Sequence, residues 1–145
     1  MLVIGIGNEL RGDDAAGLLV ARQIRAQQPE IQVLESSADP MTLMEAWEGE
    51  QRVILVDAVE SGSPPGEIHR HAAHEQALPA DFFHCSTHSI GVAEAVEFAR
   101  NLSRMPAELI VYGIEGADFQ SGAEVHPAVS ASVNTLTERI IKESP

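Results

Sequence analysis

The chain has a single cysteine, Cys85, in 145 residues. A lone thiol rules out an internal disulfide framework and fits a reducing compartment. Basic residues are also scarce. Nine Lys and Arg stand against 22 Asp and Glu, a formal charge of -13. Such a field argues against nucleic acid or an anionic membrane as partner, and its ordinary role is solubility. No apolar run approaches bilayer-spanning length. Met1 leads straight into an apolar stretch with no basic segment ahead of it. The expectation is therefore a cytoplasmic chain without signal or transit peptide. Several motifs are missing too. No Gly-Lys-Ser/Thr follows the early glycines, there is no G-x-S-x-G elbow, and no H-E-x-x-H helix occurs. Phosphate-loop nucleotide binding and the common serine and zinc protease chemistries are thereby disfavoured.

What is present has the period of an α/β protein. Hydrophobic residues make up 44% of the chain and charged residues 21%, which is ordinary for a globular domain. The length suits one domain spanning residues 1–145. Leu2 to Ile6 reads as a buried strand, followed by a helix from Asp14 to about Gln28 with Ala15, Leu18, Leu19 and Ile24 on its apolar stripe. Ile31 to Leu34 reads as a short strand. Asp39-Pro40 starts a helix, with a capping carboxylate followed by proline at the first helical position. Val53 to Val56 is the clearest buried strand and ends in Asp57. Ser61 to Gly66 is a turn, and Glu67 to His71 reads as an antiparallel edge strand. Residues 72 to 87 read as loop with room for one helical turn. A helical pattern runs from His88 through Val92, Ala95, Val96 and Ala99. Leu109 to Tyr112 is the last central strand, and Pro127 opens a final helix carrying Val129, Val133, Leu136 and Ile140. Strands alternating with helices imply right-handed crossovers and a three-layer α/β sandwich around a mostly parallel sheet of about five strands.

Candidate site residues follow from that layout. Gly5-x-Gly7 after a strand has Leu10 where a dinucleotide fingerprint needs a third small residue, so it reads as a tight turn presenting Asn8 and the acidic pair. One of Asp13 and Asp14 is expected to serve the helix start through capping and the dipole. Asp14, Asp57 and His88 each fall, on this reading, at a strand-to-helix junction on one edge of the sheet. Open α/β sheets bind ligands at that edge. Two carboxylates and an imidazole suit a first-row metal or a carboxylate–histidine acid/base pair. His69, His71, His74 and His84 match no zinc spacing and are expected to be solvent-exposed. Cys85 is expected to be inert.

These residues resemble a known family. Gly5-Ile-Gly-Asn8, Leu10 and Asp13-Asp14 with Gly17 are similar to the opening signature of the [NiFe]-hydrogenase maturation endopeptidases. Val56-Asp57-Ala58, His88-Ser-Ile-Gly91 and Val111-Tyr-Gly-Ile-Glu115 match the later segments in order. The resemblance implies a twisted, phosphorylase/hydrolase-like sandwich. It also implies a processing endopeptidase that clips the C-terminal extension from the hydrogenase large-subunit precursor once nickel has been inserted. Asp14, Asp57 and His88 match the positions that contact nickel in the family, and so are the candidate catalytic and metal-binding residues. The nickel comes with the substrate and acts as its recognition signal. Two departures stand out. Ala15 stands where many relatives have Gly, and Glu35-Ser36-Ser37-Ala38 where the family usually carries Asp-Gly-Gly-Thr.

Two rival readings remain at this level. One is a non-cleaving, metal- or precursor-binding maturation chaperone on the same fold, kept alive by the altered 35–38 loop. The other is a small-molecule or nucleoside hydrolase, resting on general α/β analogy. No exposed apolar stripe is evident, so a monomer is the expectation.

Overall fold

The computed structural model describes residues 1–79 and 91–145. Five strands form one sheet: β1 Leu2–Ile6, β2 Gln32–Ser36, β3 Arg52–Val59, β4 Ile68–Ala72 and β5 Glu108–Glu115. Four α-helices accompany them: α1 Ala16–Gln27, α2 Pro40–Trp47, α3 Val92–Asn101 and α4 Pro127–Glu143. A 3-10 turn, Gly12–Ala15, leads into α1. The strand order is β2-β1-β3-β5-β4, with every pairing parallel except β4 against β5. The expected architecture is thus present, including the antiparallel edge.

Three layers follow from two separate apolar clusters. On one face, Leu2, Ile4, Leu55 and Val111 meet Leu43, Met44 and Trp47 of α2 and Val92, Val96 and Ala99 of α3. On the other, Val3, Ile54, Val56 and Ile110 meet Val20 and Ile24 of α1 and Val129, Val133 and Ile140 of α4. Alternate residues of each central strand serve opposite faces, so β1, β3 and β5 read as unbroken apolar runs. The helices begin where capping chemistry places them. Asp39 accepts the Thr42 amide at 2.9 Å and its hydroxyl at 2.7 Å, with Pro40 next in line. The ring of His126 caps α4 by accepting from Ala128 N at 3.0 Å. Trp47 satisfies its indole N–H on the carbonyl of Arg104 at 2.8 Å, closing the α2 side near the start of β5.

Several boundaries differ from the sequence reading. The α-helix begins at Ala16, because Gly12–Ala15 winds more tightly. Within the described residues α3 begins at Val92, with Gly91 as its cap. The strands β3 and β5 run on past the apolar runs to Val59 and Glu115, because each continues to pair with the other. Asp57 therefore sits inside a strand opposite Gly113, not at a strand-to-helix junction as expected. The chain after β3 leads to β4 rather than to a helix.

The approach of α1 to the sheet depends on Gly17. A Cβ there would overlap the carbonyl oxygens of Val56 and Ile6, both backbone atoms that cannot swing away. Gly5 on β1 reciprocates, since its Cβ would run into Gly17 O and the Ala21 side chain. Glycine costs helix stability, roughly 1 kcal/mol relative to alanine, so its place in the first turn of α1 reflects packing. Gly17→Ala is expected to destabilise the fold by about 1–3 kcal/mol in urea titration, as overpacking does, despite the better helix propensity of alanine. A neutral or stabilising result would mean that α1 does not lie this close to β1 and β3.

Candidate active site at the carboxyl edge of the sheet

The segment leaving β1 folds back on itself. Gly7 has φ +151, and a Cβ there would overlap the carbonyl oxygen of Asp14. Asn8 N donates to that same carbonyl at 3.2 Å, while its side-chain Oδ1 accepts from Leu10 N at 2.9 Å. Arg11 N donates to Asn8 O at 3.3 Å, and Asp14 N donates to Arg11 O at 3.1 Å. Gly7 and Asn8 thus do what the sequence reading asked of them, and the loop delivers Asp14 to the carboxyl edge of the sheet. The Asp14 side chain is fully buried, with the Arg11 guanidinium 3.8 Å away.

Asp57 reaches the same place from β3. It is buried, and its Oδ1 accepts the amide of Ala58 at 2.8 Å. Burial drives its carboxyl well above the ordinary carboxylate range; the neighbouring charge of Asp14 pushes the same way, and the Ala58 amide opposes them. The structure therefore brings Asp14 and Asp57 within range of each other's charge. His88, the third candidate, lies outside the described residues, as do His84 and Cys85. Among the described residues, no cluster of three or more His, Cys, Asp or Glu side chains forms a metal-holding group. Two buried carboxylates within each other's field nonetheless fit a divalent cation, which relieves the repulsion that burial intensifies.

Asp13 has a different role from its neighbour. Its Oδ2 accepts the amides of Ala117 at 2.6 Å and Asp118 at 3.0 Å, and its Oδ1 accepts that of His126 at 2.7 Å. One of the pair is structural, as expected, yet not by capping its own helix. Asp13 instead ties the 3-10 turn to the loop between β5 and α4.

Sequence reasoning missed the buried cluster beside these residues. Glu115 is 1% exposed and accepts from Ser61 N at 2.8 Å and Ser61 Oγ at 2.5 Å, with His69 Nε2 at 3.2 Å. The register sets Asp57, Gly113 and His69 in one row across β3, β5 and β4, with Glu115 one pleat further on. His69 and His71 are thus partly buried on the sheet, which corrects the expectation of solvent-exposed rings. Burial, and then the neighbouring His69, hold His71 below the usual imidazole range. His74 is also partly buried, taking the Leu109 amide on Nδ1 at 3.1 Å. The strand period alone could have flagged Glu115, which shares a face with the buried Leu109 and Val111.

The departure at residues 35–38 is accounted for by local contacts. Glu35 lies at 2.8 Å from Arg22 and 3.0 Å from Arg25 of α1. The hydrogen bond from Arg22 leads in pulling its carboxyl below the usual range, burial opposes, and Arg25 assists. Ser37 Oγ accepts from Asp39 N at 3.4 Å, and Ala38 is buried in the α2–α3 cluster.

Comparison with known proteins decides the family. The HycI profile, hydrogenase maturation protease, matches residues 19–143. The chain belongs to the hydrogenase maturation protease family. It is similar to the [NiFe] hydrogenase maturation protease HybD from Thermococcus kodakarensis, with TM-score 0.79 and 28% identity over 99% of this chain and 98% of that one. Hydrogenase 2 maturation protease of Escherichia coli is 23% identical over 97% of this chain and 88% of its own length. The hydrogenase expression/formation protein HupD of Thiocapsa roseopersicina is 23% identical over 98% of this chain, which spans 66% of that relative's length. Membership of this protease family supports peptide hydrolysis in hydrogenase maturation and agrees with the α/β architecture. No helix among the described residues is long and apolar enough to cross a membrane.

Asp13 and Asp57 each have a measurable consequence. Asp13→Ala strands three backbone donors, and is expected to cost about 3 kcal/mol or more in chemical denaturation; an unchanged midpoint would contradict the clamp. Asp57 has a raised folded-state pKa, so the native state binds more protons than the unfolded chain between the two pKa values. Stability then falls as pH rises from the unfolded carboxylate value toward the folded one. Asp57→Asn is accordingly expected to unfold at higher temperature than the wild type at pH 7, with the advantage shrinking as pH drops toward 4. An asparagine variant less stable at neutral pH would show that the carboxylate is welcome there.

Proposed function

We propose that the chain is a processing endopeptidase that removes the C-terminal extension from the nickel-loaded precursor of a [NiFe]-hydrogenase large subunit. The observation that carries this reading is the pairing of Asp14 and Asp57, buried at one sheet edge and each within the other's field. Membership of the maturation protease family supports the same conclusion. The nickel is part of the substrate. His88 joins the two carboxylates as the third ligand through its position in the signature.

The chemistry follows from the charges. Burial and repulsion favour a proton on the pair, and a divalent ion arriving on the precursor takes that proton's place. The loaded precursor is then held more tightly than the unloaded one, which makes metal insertion the signal for cleavage. Holding the ion also fixes the adjoining peptide segment against the sheet edge, where a carboxylate is at hand to take a proton from the attacking water. The reading as a non-cleaving chaperone leaned on the altered 35–38 segment. The contacts of Glu35, Ser37 and Ala38 give that segment a structural reason, which favours retained cleavage.

The test is a gel-shift and mass-spectrometric cleavage assay on a large-subunit precursor with and without nickel. The wild-type chain should release a C-terminal peptide only from the nickel-loaded form. Asp14→Asn should slow release by roughly 100-fold or more, since loss of a direct ligand costs at least the roughly 10–100-fold that loss of a ligand's hydrogen-bond partner does. Stable binding of the loaded precursor without any cut would instead establish the chaperone.

A further inference from the structure

We propose that Leu10 is a binding contact for the precursor in this reaction, inserting into an apolar surface of that partner. The inference rests on the processing reading above. Leu10 belongs to the opening signature, yet it packs into neither core cluster. It is 72% exposed, the most of any large apolar side chain among the described residues; Leu34, Met41, Phe98 and Leu102 lie between 37% and 49%. Singly exposed leucines are ordinary on protein surfaces. What distinguishes this one is how firmly it is held, and where.

Its amide donates to Asn8 Oδ1 at 2.9 Å and its carbonyl accepts from Gly122 N at 2.9 Å. Both flanking side chains are engaged as well. Glu9 pairs with Arg22 at 3.0 Å, and Arg22 continues to Glu35 at the end of β2. Arg11 faces Asp14 at 3.8 Å. A loop pinned at four consecutive points, from Asn8 to Arg11, presents one apolar side chain to solvent four residues before a candidate ligand. Pre-organisation of that kind lowers the entropy lost when a partner covers the side chain. The neighbouring charge of Glu9 is already matched by Arg22, so the partner surface at Leu10 needs apolar atoms rather than a counter-charge.

The experiment compares Leu10→Ser with Leu10→Met and with Leu102→Ser. Leu102 is also exposed, at the end of α3 that leads toward the amino end of β5. Circular dichroism and urea titration establish that each variant folds. KM and kcat are then measured on nickel-loaded precursor, and Kd for the same precursor is read separately by calorimetry. Leu10→Ser should raise KM and Kd about tenfold or more, the loss expected for one leucine covered on binding, with kcat within about twofold. Leu10→Met should restore most of the affinity, and Leu102→Ser should match the wild type. Unchanged KM and Kd in Leu10→Ser would overturn the proposal, as would an equal loss in Leu102→Ser. A fall in kcat at constant KM would also overturn it, by making Leu10 a support for the Asp14 loop. If the wild type binds the precursor without cutting it, the processing reading fails, and Kd alone decides the role of Leu10.

Discussion

The arrangement of this protein turns on two carboxylates kept out of water within each other's field. Asp14 and Asp57 arrive from different elements, the 3-10 turn before α1 and the later part of β3. A buried like-charge pair is a liability to folding, and a fold retains one where a cation or proton must be handled. The rest of the carboxyl edge can be understood as support for that pair. Gly7 admits the Asp14 carbonyl, Asn8 closes the loop on it, and Asp13 fastens the turn to the loop before α4.

The sheet and helices hold this edge rigidly through backbone proximity. Gly5 and Gly17 bring α1 against β1 and β3, with its first turn seated on the carbonyls of Ile6 and Val56. On the opposite face, α2 and α3 cover the strands with aliphatic side chains and Trp47. The residues flanking the pair are tied down by charge on the surface. Arg22 and Arg25 of α1 gather Glu9 and Glu35, fixing the loop after β1 and the end of β2 together. Such partly exposed ion pairs contribute little to stability individually. Their role here is geometric, since they set where the rim of the site stands.

Hydrolysis at such a site asks little of the protein beyond placement. Membership of the maturation protease family supplies the reaction class, peptide hydrolysis. Under the proposed function, a substrate that carries its own cation completes the charge balance of Asp14 and Asp57 only when it is ready to be processed. The same logic explains why the site sits at the sheet edge. A precursor segment has to enter and leave, and strand ends leave room that a closed core would not.

Local pattern made much of this legible beforehand. Unbroken apolar runs at Leu2–Ile6, Val53–Val56 and Leu109–Tyr112 identify buried parallel strands, because such strands pack on both faces. Asp39-Pro40 and Pro127 identify helix starts, because an unpaired N–H accepts capping and tolerates proline. The acidic pair and Asp57 stand out because a carboxylate beside a buried run is rarely accidental. Side-chain partnerships, by contrast, join residues far apart in the chain, and no local period encodes them. That Asp13 would serve the amides of Ala117, Asp118 and His126, or that His69 and Ser61 would share Glu115, depends on which loops and strands the tertiary fold sets side by side. The extension of β3 past Asp57 likewise depends on the partner strand β5. Sequence by itself determined the alternation of elements and the identity of the ionisable residues beside the buried runs, since these follow from covalent order and period. Only the tertiary structure decided which of those carboxylates would hold distant amides and which would be buried within one another's field, because the answer depends on amides, charges and solvent exclusion supplied by distant segments.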